Sequence, residues 1–554
     1  MKTYQIIERN VNKNVTNIVI KNPNGEITEV MPFKYVPIAV SYNEEGYEKI
    51  TAEDKCEYKY RFAPSVRGTY YVCEMNGEKK LSDYKFEVDS EGGHGYIKVN
   101  GKNRKYFSYT DGTVFLPVGM NMVFPTKYQL DSGVEFGLEN QYSYLGLKQY
   151  EAWIRKASKY GVNLIRIWCS DKYFEAEKEN AGEYAYERFT LLDKIFELAH
   201  KYNVKIKLTL EQFRYFSYDK EDTYINSLFG KRLYNGRRRC ESTDEWLSES
   251  LWQDKWIEKV SEYAKRYAYD DALFAVELWN EMNGVGCKWG MYDSQITKWN
   301  QTMSDKVRKL FPKHMIINSI GSYDSDISKA YYDNFCWGKF DFKQIHSYLD
   351  QGAVYEEARE NPIEILKRAC REQATEIQPL LVAETGAVNN NHSGPFRFYS
   401  SDDFGLIFAD CVYTPLFLGA AGCGNIWHWD GRYMEFKNLY HMYLPFLKLT
   451  ENIDFTDEDF KPIDRSDDNA YILSLKGKNH DLYYIRNKSA NWKNMLRDLN
   501  EPTVIPKLEI PLKHKAQLIQ IWNDGEAFSQ NEASGFIHNL KKGIFLKVQK
   551  GAFV

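Results

Sequence analysis

The spacing of apolar and polar residues divides the chain into three parts. In the first part, residues 1 to about 95, short alternating runs are separated by turn-forming pairs such as Asn22-Pro23 and Asn76-Gly77. Short alternating runs return after about residue 455. Alternation with a period of two is typical of strands that bury one face, and such turn pairs join strands. We therefore predict a β-sandwich at each end of the chain.

The middle part, from about residue 105 to 450, has longer apolar runs separated by segments with the helical period. Tyr150, Ile154 and Ala157, for example, lie on one face of a predicted helix, and Gly161 follows as an end signal. Eight strand–helix units in this length predict a (β/α)8 barrel. A doubly wound sheet is the alternative, but no Gly-rich phosphate loop follows the first strand. The eight predicted strands are residues 115–122, 162–170, 204–213, 272–283, 314–321, 342–348, 380–386 and 424–430.

These patterns predict an α/β protein of three domains. The N-terminal β-sandwich covers residues 1–95, the (β/α)8 TIM barrel residues 96–452, and the C-terminal β-sandwich residues 453–554. We find no internal repeat and no low-complexity linker between them, so we expect the domains to pack as one body.

The composition is that of an ordinary globular chain, since 43% of the 554 residues are hydrophobic and 27% are charged. A net charge of −4 argues against a nucleic-acid surface, and no apolar run is long enough to span a membrane. The first ten residues have no apolar leader core, and nine scattered Cys fit reduced thiols better than disulfides or zinc sites. We therefore expect a cytoplasmic protein.

Two glutamates end predicted strands of the barrel. Glu281 closes strand four in the sequence Trp279-Asn280-Glu281, and Glu384 follows the apolar run 379–383 on strand seven. A carboxylate buried there without partners is costly, so it is rarely present for packing alone. At the carboxyl end of a barrel strand such a residue is typically catalytic. A pair of them indicates glycoside hydrolysis, in which one carboxyl gives a proton and the other attacks the sugar or activates water.

On these residues, and on the segment 109–121 that follows the first β domain, the chain resembles clan A retaining glycoside hydrolases. This group includes family 5 cellulases and mannanases, family 39 xylosidases and family 42 galactosidases. The resemblance implies that Glu281 is the acid/base and Glu384 the nucleophile. Asn280 can then donate to the 2-hydroxyl of the substrate, with a strand-end turn as its alternative role.

Three further strand residues match positions that carry site residues in this group. Arg166, inside an apolar strand, needs a carboxylate partner. The resemblance implies that Arg166 lies beneath Glu384, while a purely structural pair with Glu277 is the alternative. It also implies that Tyr348 hydrogen-bonds the nucleophile and that His346 lies beside the acid/base; a structural histidine is the other interpretation.

Aromatic residues make up 16% of the chain, with 42 Tyr and 13 Trp. Large cores explain this composition better than sugar-binding platforms alone, although pyranose C–H faces do stack on aromatic rings. The resemblance implies a Trp at the end of strand eight as the floor of the subsite for the cleaved sugar. Trp427 is preferred to Trp429 for this role. Asn121 and Trp168 are candidates for either the site or the core.

The region after strand three departs from family 5, whose members place a His there. The chain has Glu211 instead, which we expect either to bind a pair of sugar hydroxyls or to pair with Arg166 or Arg214. The segment 214–246 is long for a barrel loop, so we expect a lid. Its notable residues are Tyr215, Tyr218, Tyr224, Tyr234 and the basic run 237–239, which fits a solvated face better than a site for anionic sugars.

The leading hypothesis is a retaining β-glycosidase for short gluco-, manno-, xylo- or galacto-oligosaccharides. The alternatives are an endo-acting β-glycanase, a non-catalytic carbohydrate-binding barrel and a metal-dependent enzyme. No cluster of His and Asp at strand ends supports the last, so we expect no metal and no cofactor. We expect an oligosaccharide as the partner, no nucleic acid and no membrane, and leave a homo-oligomer open.

Overall fold

The computed structural model describes residues 1–125, 145–170, 173–178, 180–213, 233–234, 238–240, 242–390, 392 and 394–550, with the backbone alone at 233–234, 238–239 and 287. Nine strands lie before residue 95. They are β1 (Ile7–Asn10), β2 (Asn17–Lys21), β3 (Ile27–Val30), β4 (Phe33–Tyr35), β5 (Ile38–Tyr42), β6 (Glu48–Ala52), β7 (Glu57–Phe62), β8 (Gly68–Asn76) and β9 (Lys79–Val88).

These nine strands form two main antiparallel sheets and a separate hairpin. The sheet orders are β1-β7-β4 and β3-β2-β8-β9, and the hairpin is β5-β6. Alternate residues of the two sheets, such as Phe62 of β7 and Tyr70 of β8, share one buried core. This arrangement follows from the alternation in the sequence, which gives each strand one apolar face.

The elements of the middle part alternate between strands and helices after a small antiparallel sheet. That sheet is β10 (Ile97–Val99), β11 (Phe107–Tyr109) and β12 (Val114–Phe115). The elements that follow are β13 (Gly119–Asn121), α1 (Gly146–Lys159), β14 (Leu164–Trp168), α2 (Tyr186–Tyr202), β15 (Lys205–Gln212), β16 (Leu233–Tyr234), β17 (Arg238–Arg239), α3 (Thr243–Ser248), α4 (Ser250–Tyr267), β18 (Leu273–Asn280), α5 (Asp293–Leu310), β19 (Met315–Ile317), α6 (Asp326–Asn334), β20 (Lys343–Asp350), α7 (Glu356–Glu360), α8 (Pro362–Gln373), β21 (Leu380–Val388), α9 (Leu406–Val412), α10 (Thr414–Phe417) and α11 (Tyr443–Thr450).

Parallel pairing connects the strands of this middle part in chain order. One parallel sheet has the order β13-β14-β15-β18-β19, and β20 pairs with β21. Ile426 forms parallel bridges both to Thr385 of β21 and to Met120 of β13, which joins the last strand to the first. Every residue of β14, β15, β18 and β21 is buried, as expected for parallel strands covered on both faces.

The first and last of the eight predicted strands differ from the prediction. Residues 115–122 do not form one strand, because Phe115 pairs with Phe107 in the antiparallel sheet while β13 begins only at Gly119. Pro117 lies between them and has no N–H for a continuous ladder. The predicted strand 424–430 is reduced to the bridging residue Ile426.

The C-terminal part consists of two antiparallel sheets. Their orders are β22-β23-β24-β29-β26 and β25-β28-β27, and both contribute residues to one core, for example Ile485 and Ile537. The strands are β22 (Lys461–Asp464), β23 (Ala470–Lys476), β24 (His480–Asn487), β25 (Ile505–Pro511), β26 (Ala516–Gln520), β27 (Ala527–Gln530), β28 (Ser534–Leu540) and β29 (Gly543–Gln549).

Polar contacts attach both β-rich parts to the middle part. Arg486 of β24 pairs with Asp410 of α9 at 2.7 Å, and both side chains are buried. On the other side, Glu48 of the β5–β6 hairpin accepts hydrogen bonds from the Leu147 backbone N–H at 2.6 Å and the Tyr173 hydroxyl at 2.7 Å. Because Tyr173 follows β14, the hairpin reaches the end of the parallel strands where Glu281 and Glu384 lie.

Within the described residues, no helix combines the length and the apolar character required to cross a bilayer. The eight cysteines whose side chains are described are all free thiols. The cytoplasmic location expected from the sequence stays a prediction.

Candidate active site

Glu281 directly follows β18, and its backbone leaves the strand conformation. Its φ of 53° is in the left-handed region, which is uncommon for a residue with a Cβ. Its backbone N–H donates to Ser319 Oγ at 3.0 Å, which holds this turn against the end of β19. The side chain remains 12% exposed, so the carboxyl can reach a substrate in the cleft.

His346 lies between the two predicted catalytic carboxylates. Its Nδ1 is 2.8 Å from Glu281 Oε1 and 3.4 Å from Glu384 Oε2. The register between β20 and β21 shifts here, since Ile345 pairs with Val382 and His346 with Glu384, which leaves Ala383 of β21 as the extra residue. Burial lowers the pKa of His346 to about 4, so the imidazole is neutral at neutral pH. A hydrogen bond between Glu281 and His346 therefore places no positive charge beside the leaving group.

Glu384, in the middle of β21, receives donors on both carboxylate oxygens. Tyr348 donates its hydroxyl to Oε2 at 2.6 Å, and Arg166 Nη1 donates to Oε1. Burial and the neighbouring Glu384 carboxylate raise the pKa of Tyr348 well above its usual value, so this phenol keeps its proton. One donor on each oxygen fixes the position of the Glu384 carboxyl group, as a nucleophile requires.

The two carboxylates are close enough to act on the same sugar carbon. One oxygen of Glu281, one oxygen of Glu384 and one nitrogen of His346 all lie within 4.8 Å of one another. Retaining glycosidases separate their carboxyl groups by about 5–5.5 Å, whereas inverting enzymes need about 6.5–9.5 Å to admit a water. Oxygens of the two carboxyl groups within 4.8 Å of each other fit the shorter, retaining separation better than the longer one.

Arg166 of β14 has both of the carboxylate partners considered from the sequence. Its Nε and Nη2 each donate to Glu277 at 2.8 Å, while Nη1 reaches Glu384. Thr209 donates its hydroxyl to Glu277 Oε2 at 2.7 Å. Burial raises the pKa of Glu277, but Arg166 and Lys207 lower it more strongly, to about 2. Glu277 thus stays ionised and fixes the guanidinium that contacts Glu384.

Asn280 faces the site although strict alternation along β18 would turn it away. Its Oδ1 accepts a hydrogen bond from Arg166 Nη2 at 2.7 Å, which leaves its amide N–H groups available for a substrate hydroxyl. Trp279 instead packs outward against Trp246 and Trp299 of the surrounding helices. The alternation of faces along β18 therefore breaks at Trp279.

A buried polar layer that was not expected from the sequence lies beneath the carboxylates. Lys207 of β15 is fully buried, donates to Gln344 Oε1 at 2.5 Å and lies 3.9 Å from Glu277. Burial lowers the pKa of Lys207 to about 7. Gln344 also donates to Glu277, at 3.2 Å. The available signal was a lysine two residues before Thr209 within an apolar strand, which requires a polar partner.

The aromatic candidates at the end of the eighth unit have different surroundings. Trp427 is partly buried and lies with its ring centroid 5.5 Å from that of Trp168. Trp429 is almost fully buried and packs edge-on against Phe124 and Trp153. Of the two, Trp427 has the ring that a sugar can reach, while Trp429 and Trp168 lie in the core.

The side chain of Asn121 connects β13 to β21 and to the segment around Ile426. Its side-chain amide donates to the carbonyl oxygens of Ala383, Asn425 and Ile426 at 3.1–3.2 Å. These bonds attach the first strand to the strand that carries Glu384 and to the bridging segment. Since Asn121 is completely buried, the contacts favour structural support over direct sugar binding.

Glu211 points away from the carboxylate pair, and its described partners lie on helix α4. Its Oε1 accepts hydrogen bonds from Lys259 Nζ at 2.9 Å and Trp256 Nε1 at 3.0 Å, both on α4. The expected pair with Arg166 is therefore wrong, because Glu277 and Glu384 occupy that guanidinium. Arg214, the other expected partner, lies outside the described residues.

Residues 243–246 of the expected lid begin helix α3, and most of the remaining lid lies outside the described side chains. This applies to Tyr215, Tyr218, Tyr224, Tyr234 and the basic run 237–239. The grouped atoms of Glu281, His346 and Glu384 have a spacing that would also suit a metal ion. The expectation that the protein uses no metal and no cofactor stays a prediction.

Comparisons with known proteins point to glycoside hydrolases. The sequence model of the cellulase family, glycosyl hydrolase family 5, matches residues 130–403, a range that contains Glu281 and Glu384. Cellodextrinase A from Ruminococcus flavefaciens is 24% identical over 177 residues, which are 31% of this chain and 43% of that protein. The chain thus spans less than half the length of this curated relative.

One solved structure shares the overall fold. A candidate glycoside hydrolase from Bacteroides vulgatus ATCC 8482 superposes with a TM-score of 0.57 at 13% identity, and the alignment covers 99% of both chains. A family 5 mannosidase from Rhizomucor miehei gives a TM-score of 0.40 at 15% identity over 60% of this chain and 86% of the mannosidase. The first of these similarities shows that the arrangement of all three parts recurs in another protein.

Proposed function

We propose that this chain, a family 5-like glycoside hydrolase of the retaining type, removes sugar units from short β-linked oligosaccharides. The observation that carries this proposal is the placement of Glu281 and Glu384 around His346, with one oxygen of each carboxyl within 4.8 Å of the other. The proposed catalytic unit is a (β/α)8 barrel flanked by two β-sandwich domains. The bridges of Ile426 to Thr385 and Met120 support closure of that barrel.

The proposed reaction has two displacements at the anomeric carbon. In the first, a Glu384 oxygen attacks the anomeric carbon while Glu281 transfers its proton to the glycosidic oxygen, and the bond to the leaving sugar breaks. In the second, Glu281 takes a proton from water, the water oxygen attacks the anomeric carbon, and the bond to Glu384 breaks. Two inversions give net retention and return both carboxyl groups to their starting protonation states.

The donors around Glu384 support its role as nucleophile and leaving group. Arg166 and Tyr348 stabilise the carboxylate before the attack and again when it departs. The neutral His346 supports the role of Glu281 as the acid. A positively charged imidazolium in its place would favour loss of the proton that Glu281 must donate. The chain thus gives its two carboxyl groups opposite surroundings, as acid and nucleophile require.

Two observations support short oligosaccharides rather than long polymers. The β5–β6 hairpin contacts Leu147 and Tyr173 through Glu48, on the side of the barrel where the site opens. A wall in that position favours a pocket over a groove that runs across the protein. The name of the curated relative, cellodextrinase A, makes β-linked gluco-oligosaccharides the first substrates to test.

Azide rescue tests the roles of the two carboxyl groups. We expect Glu384→Ala and Glu281→Ala each to lose almost all activity on an aryl β-glycoside, since each removes one partner of the reaction. With azide, Glu384→Ala should form the α-glycosyl azide and Glu281→Ala the β-glycosyl azide, as distinguished by proton NMR. The wild-type enzyme with azide is the control. The same anomer from both variants, or full activity in either, would disprove the assignment.

The cleavage pattern tests the preference for short substrates. We expect the viscosity of a soluble β-glucan or β-mannan to stay nearly constant while mono- or disaccharide accumulates, because a pocket processes chains from the end. A rapid fall in viscosity with products of mixed length would instead indicate an endo-acting β-glycanase.

A further inference from the structure

An exposed tryptophan lies on the loop that continues from Glu281. A short 3-10 helix, Met282–Cys287, follows the glutamate, and Trp289 comes two residues later with 49% of its surface exposed. Its ring lies directly over two glycines. A Cβ added to Gly284 would be 2.8 Å from Trp289 Cη2, and one added to Gly321 would be 2.5 Å from Cζ3. The ring can occupy this position only because both residues lack side chains.

Hydrogen bonds connect the two glycines beneath this ring to the backbone of Glu281, the proposed acid/base. Gly284 N–H donates to the Glu281 carbonyl at 2.9 Å, and Gly321 N–H donates to Asn283 Oδ1 at 2.9 Å. Asn283 in turn accepts from the Gly290 N–H at 2.8 Å. The two glycines beneath the ring and the backbone of Glu281 therefore belong to one hydrogen-bonded loop, so the ring has a fixed position relative to that residue.

One further aromatic ring borders this surface. The centroid of Phe213, at the end of the third-strand region, lies 5.1 Å from that of Trp289 with an angle of 47° between the planes. A single exposed Trp on a protein surface needs no explanation. Trp289 differs because its inner face is supported by two glycines, its edge is flanked by a second ring, and its loop begins at Glu281.

Geometry decides which sugar such a ring could bind. Glu281 must reach the glycosidic oxygen, so the departing sugar lies on the side of the site that Glu281 occupies, and the attacked sugar lies toward Glu384. We propose that Trp289 is the stacking platform for the leaving sugar, against whose C–H face the exposed face of the indole packs. This inference rests on the proposed function, because it takes Glu281 as the acid.

Substrates with and without a leaving sugar provide the test. With a β-linked disaccharide or trisaccharide, Trp289→Ala should lower kcat/KM by about 10-fold, the scale of one aromatic stacking contact. With the β-glycosyl fluoride of the same sugar, kcat/KM should change by less than about 2-fold, because fluoride is too small to touch the ring. Trp289→Phe should recover a large part of the loss on the oligosaccharide.

A second variant tests the position of the ring without removing it. Gly321→Ala should give the same selective loss on oligosaccharides, because the added methyl group would displace Trp289. Tyr71→Ala, which removes an aromatic ring 56% exposed on strand β8, is the control and should change neither substrate.

Equal losses on both substrates, or full activity of Trp289→Ala on the oligosaccharide, would overturn the platform. A wild-type enzyme that hydrolyses neither substrate would overturn the proposed function, and this inference with it. A wild-type enzyme that is active on both substrates, with Trp289→Ala unchanged on both, would overturn the platform alone.

Discussion

Two carboxylates on adjacent strands are equally buried and have very different surroundings. Glu277 on β18 and Glu211 on β15 are both completely shielded from solvent. Glu277 accepts hydrogen bonds on both oxygens, from Arg166, Thr209 and Gln344. Glu211 accepts both of its bonds, from Lys259 and Trp256, on Oε1, and Oε2 has no hydrogen-bond partner within the described part of the chain.

Because of these different surroundings, the pKa values of the two carboxyl groups shift in opposite directions. For Glu277, the Arg166 and Lys207 charges outweigh burial and bring the pKa to about 2. For Glu211, burial and the carboxylates of Glu175 and Glu177 outweigh Lys259, so its pKa is raised above the usual range. Burial alone therefore does not decide ionisation; the number of donors and the sign of the neighbouring charges do.

Glu277 and Glu211 also differ in whether their partners reach a proposed catalytic group. The Arg166 network, which we define as Arg166, Glu277, Glu384 and Thr209, ends on a proposed catalytic carboxylate. The Glu211 cluster, defined as Glu211, Lys259 and Trp256, connects β15 to α4. We expect substitutions in the network to change catalysis and substitutions in the cluster to change mainly stability.

The largest expected effect is that of Arg166→Met. Removing the guanidinium leaves Glu277 and Glu384 buried without their cation, which should cost about 3–5 kcal/mol of stability. We expect kcat/KM on an aryl β-glycoside to fall by about 1000-fold or more, because the nucleophile loses a charged donor that positions it and stabilises it as it departs. Arg166→Lys should recover only part of this, since an ammonium cannot contact both carboxylates in the same plane. Urea unfolding and steady-state kinetics measure the two effects.

Arg266→Met is the matched control for this substitution. Arg266 is also almost fully buried and pairs with Asp193 at 2.8 Å, on α4 and α2. Its loss should lower stability by a similar amount while the folded fraction keeps its kcat. A similar fall in kcat for both arginine variants would show that the loss reflects general disruption of the core.

The second effect is that of Glu277→Gln. The amide keeps the shape but loses the charge that orients Arg166, and hydrogen bonds to charged groups contribute about 1.5–3 kcal/mol each. We therefore expect kcat to fall by about 10- to 100-fold with little change in KM, because Glu277 contacts no substrate group. Steady-state kinetics on an aryl glycoside distinguish this pattern. A rise in KM at constant kcat would mean that Glu277 acts on substrate binding instead.

Much of the parallel region could be predicted from the sequence because its strands are long and buried on both faces. The apolar runs at 162–170 and 204–213 contain β14 and β15, and the run at 380–386 forms most of β21. The first and eighth strands were not predictable in extent, because Ile426 joins the region through single bridges rather than through a long ladder. Such bridges depend on tertiary contacts and leave no period in the sequence.

Some contacts of the site residues could likewise be predicted from the sequence, and others could not. Tyr348 and Arg166 contact Glu384, and His346 contacts Glu281, in the places that the resemblance implied. The partner of Glu211 could not be predicted, because Lys259 is 48 positions away on a helix. Lys207 was missed for a related reason, since its partner Gln344 lies across the sheet on β20.

A smaller effect is expected for Lys259→Met. This substitution removes the cation that contacts Glu211, but the carboxyl group can take up a proton because its pKa is already raised. We therefore expect a loss of stability of about 1–3 kcal/mol, less than that of Arg166→Met. Activity on an aryl glycoside should change by less than about 3-fold, because this cluster contacts no proposed catalytic group. A loss of kcat comparable to that of Glu277→Gln would contradict the view that the Glu211 cluster affects stability while the Arg166 network affects catalysis.

The smallest effect is a difference in how stability depends on pH. The raised pKa of Glu211 means that its contribution is fully present below its unfolded-state pKa, about 4.3, and is lost as pH rises through the folded value. The stability of the wild type relative to Glu211→Gln should therefore decrease from pH 4.5 to pH 8. Denaturant unfolding of both proteins at several pH values measures this difference.

Glu277 should show the opposite dependence in the same experiment. Its folded pKa is lowered to about 2, so its contribution is present above the unfolded-state pKa and is lost as pH falls toward 2. The stability of the wild type relative to Glu277→Gln should then be constant around pH 5 and decrease below about pH 4.3. Parallel curves for the two glutamine variants would mean that burial, which the two carboxylates share, controls both of them. Curves that bend in opposite directions would mean that the surrounding donors and charges do.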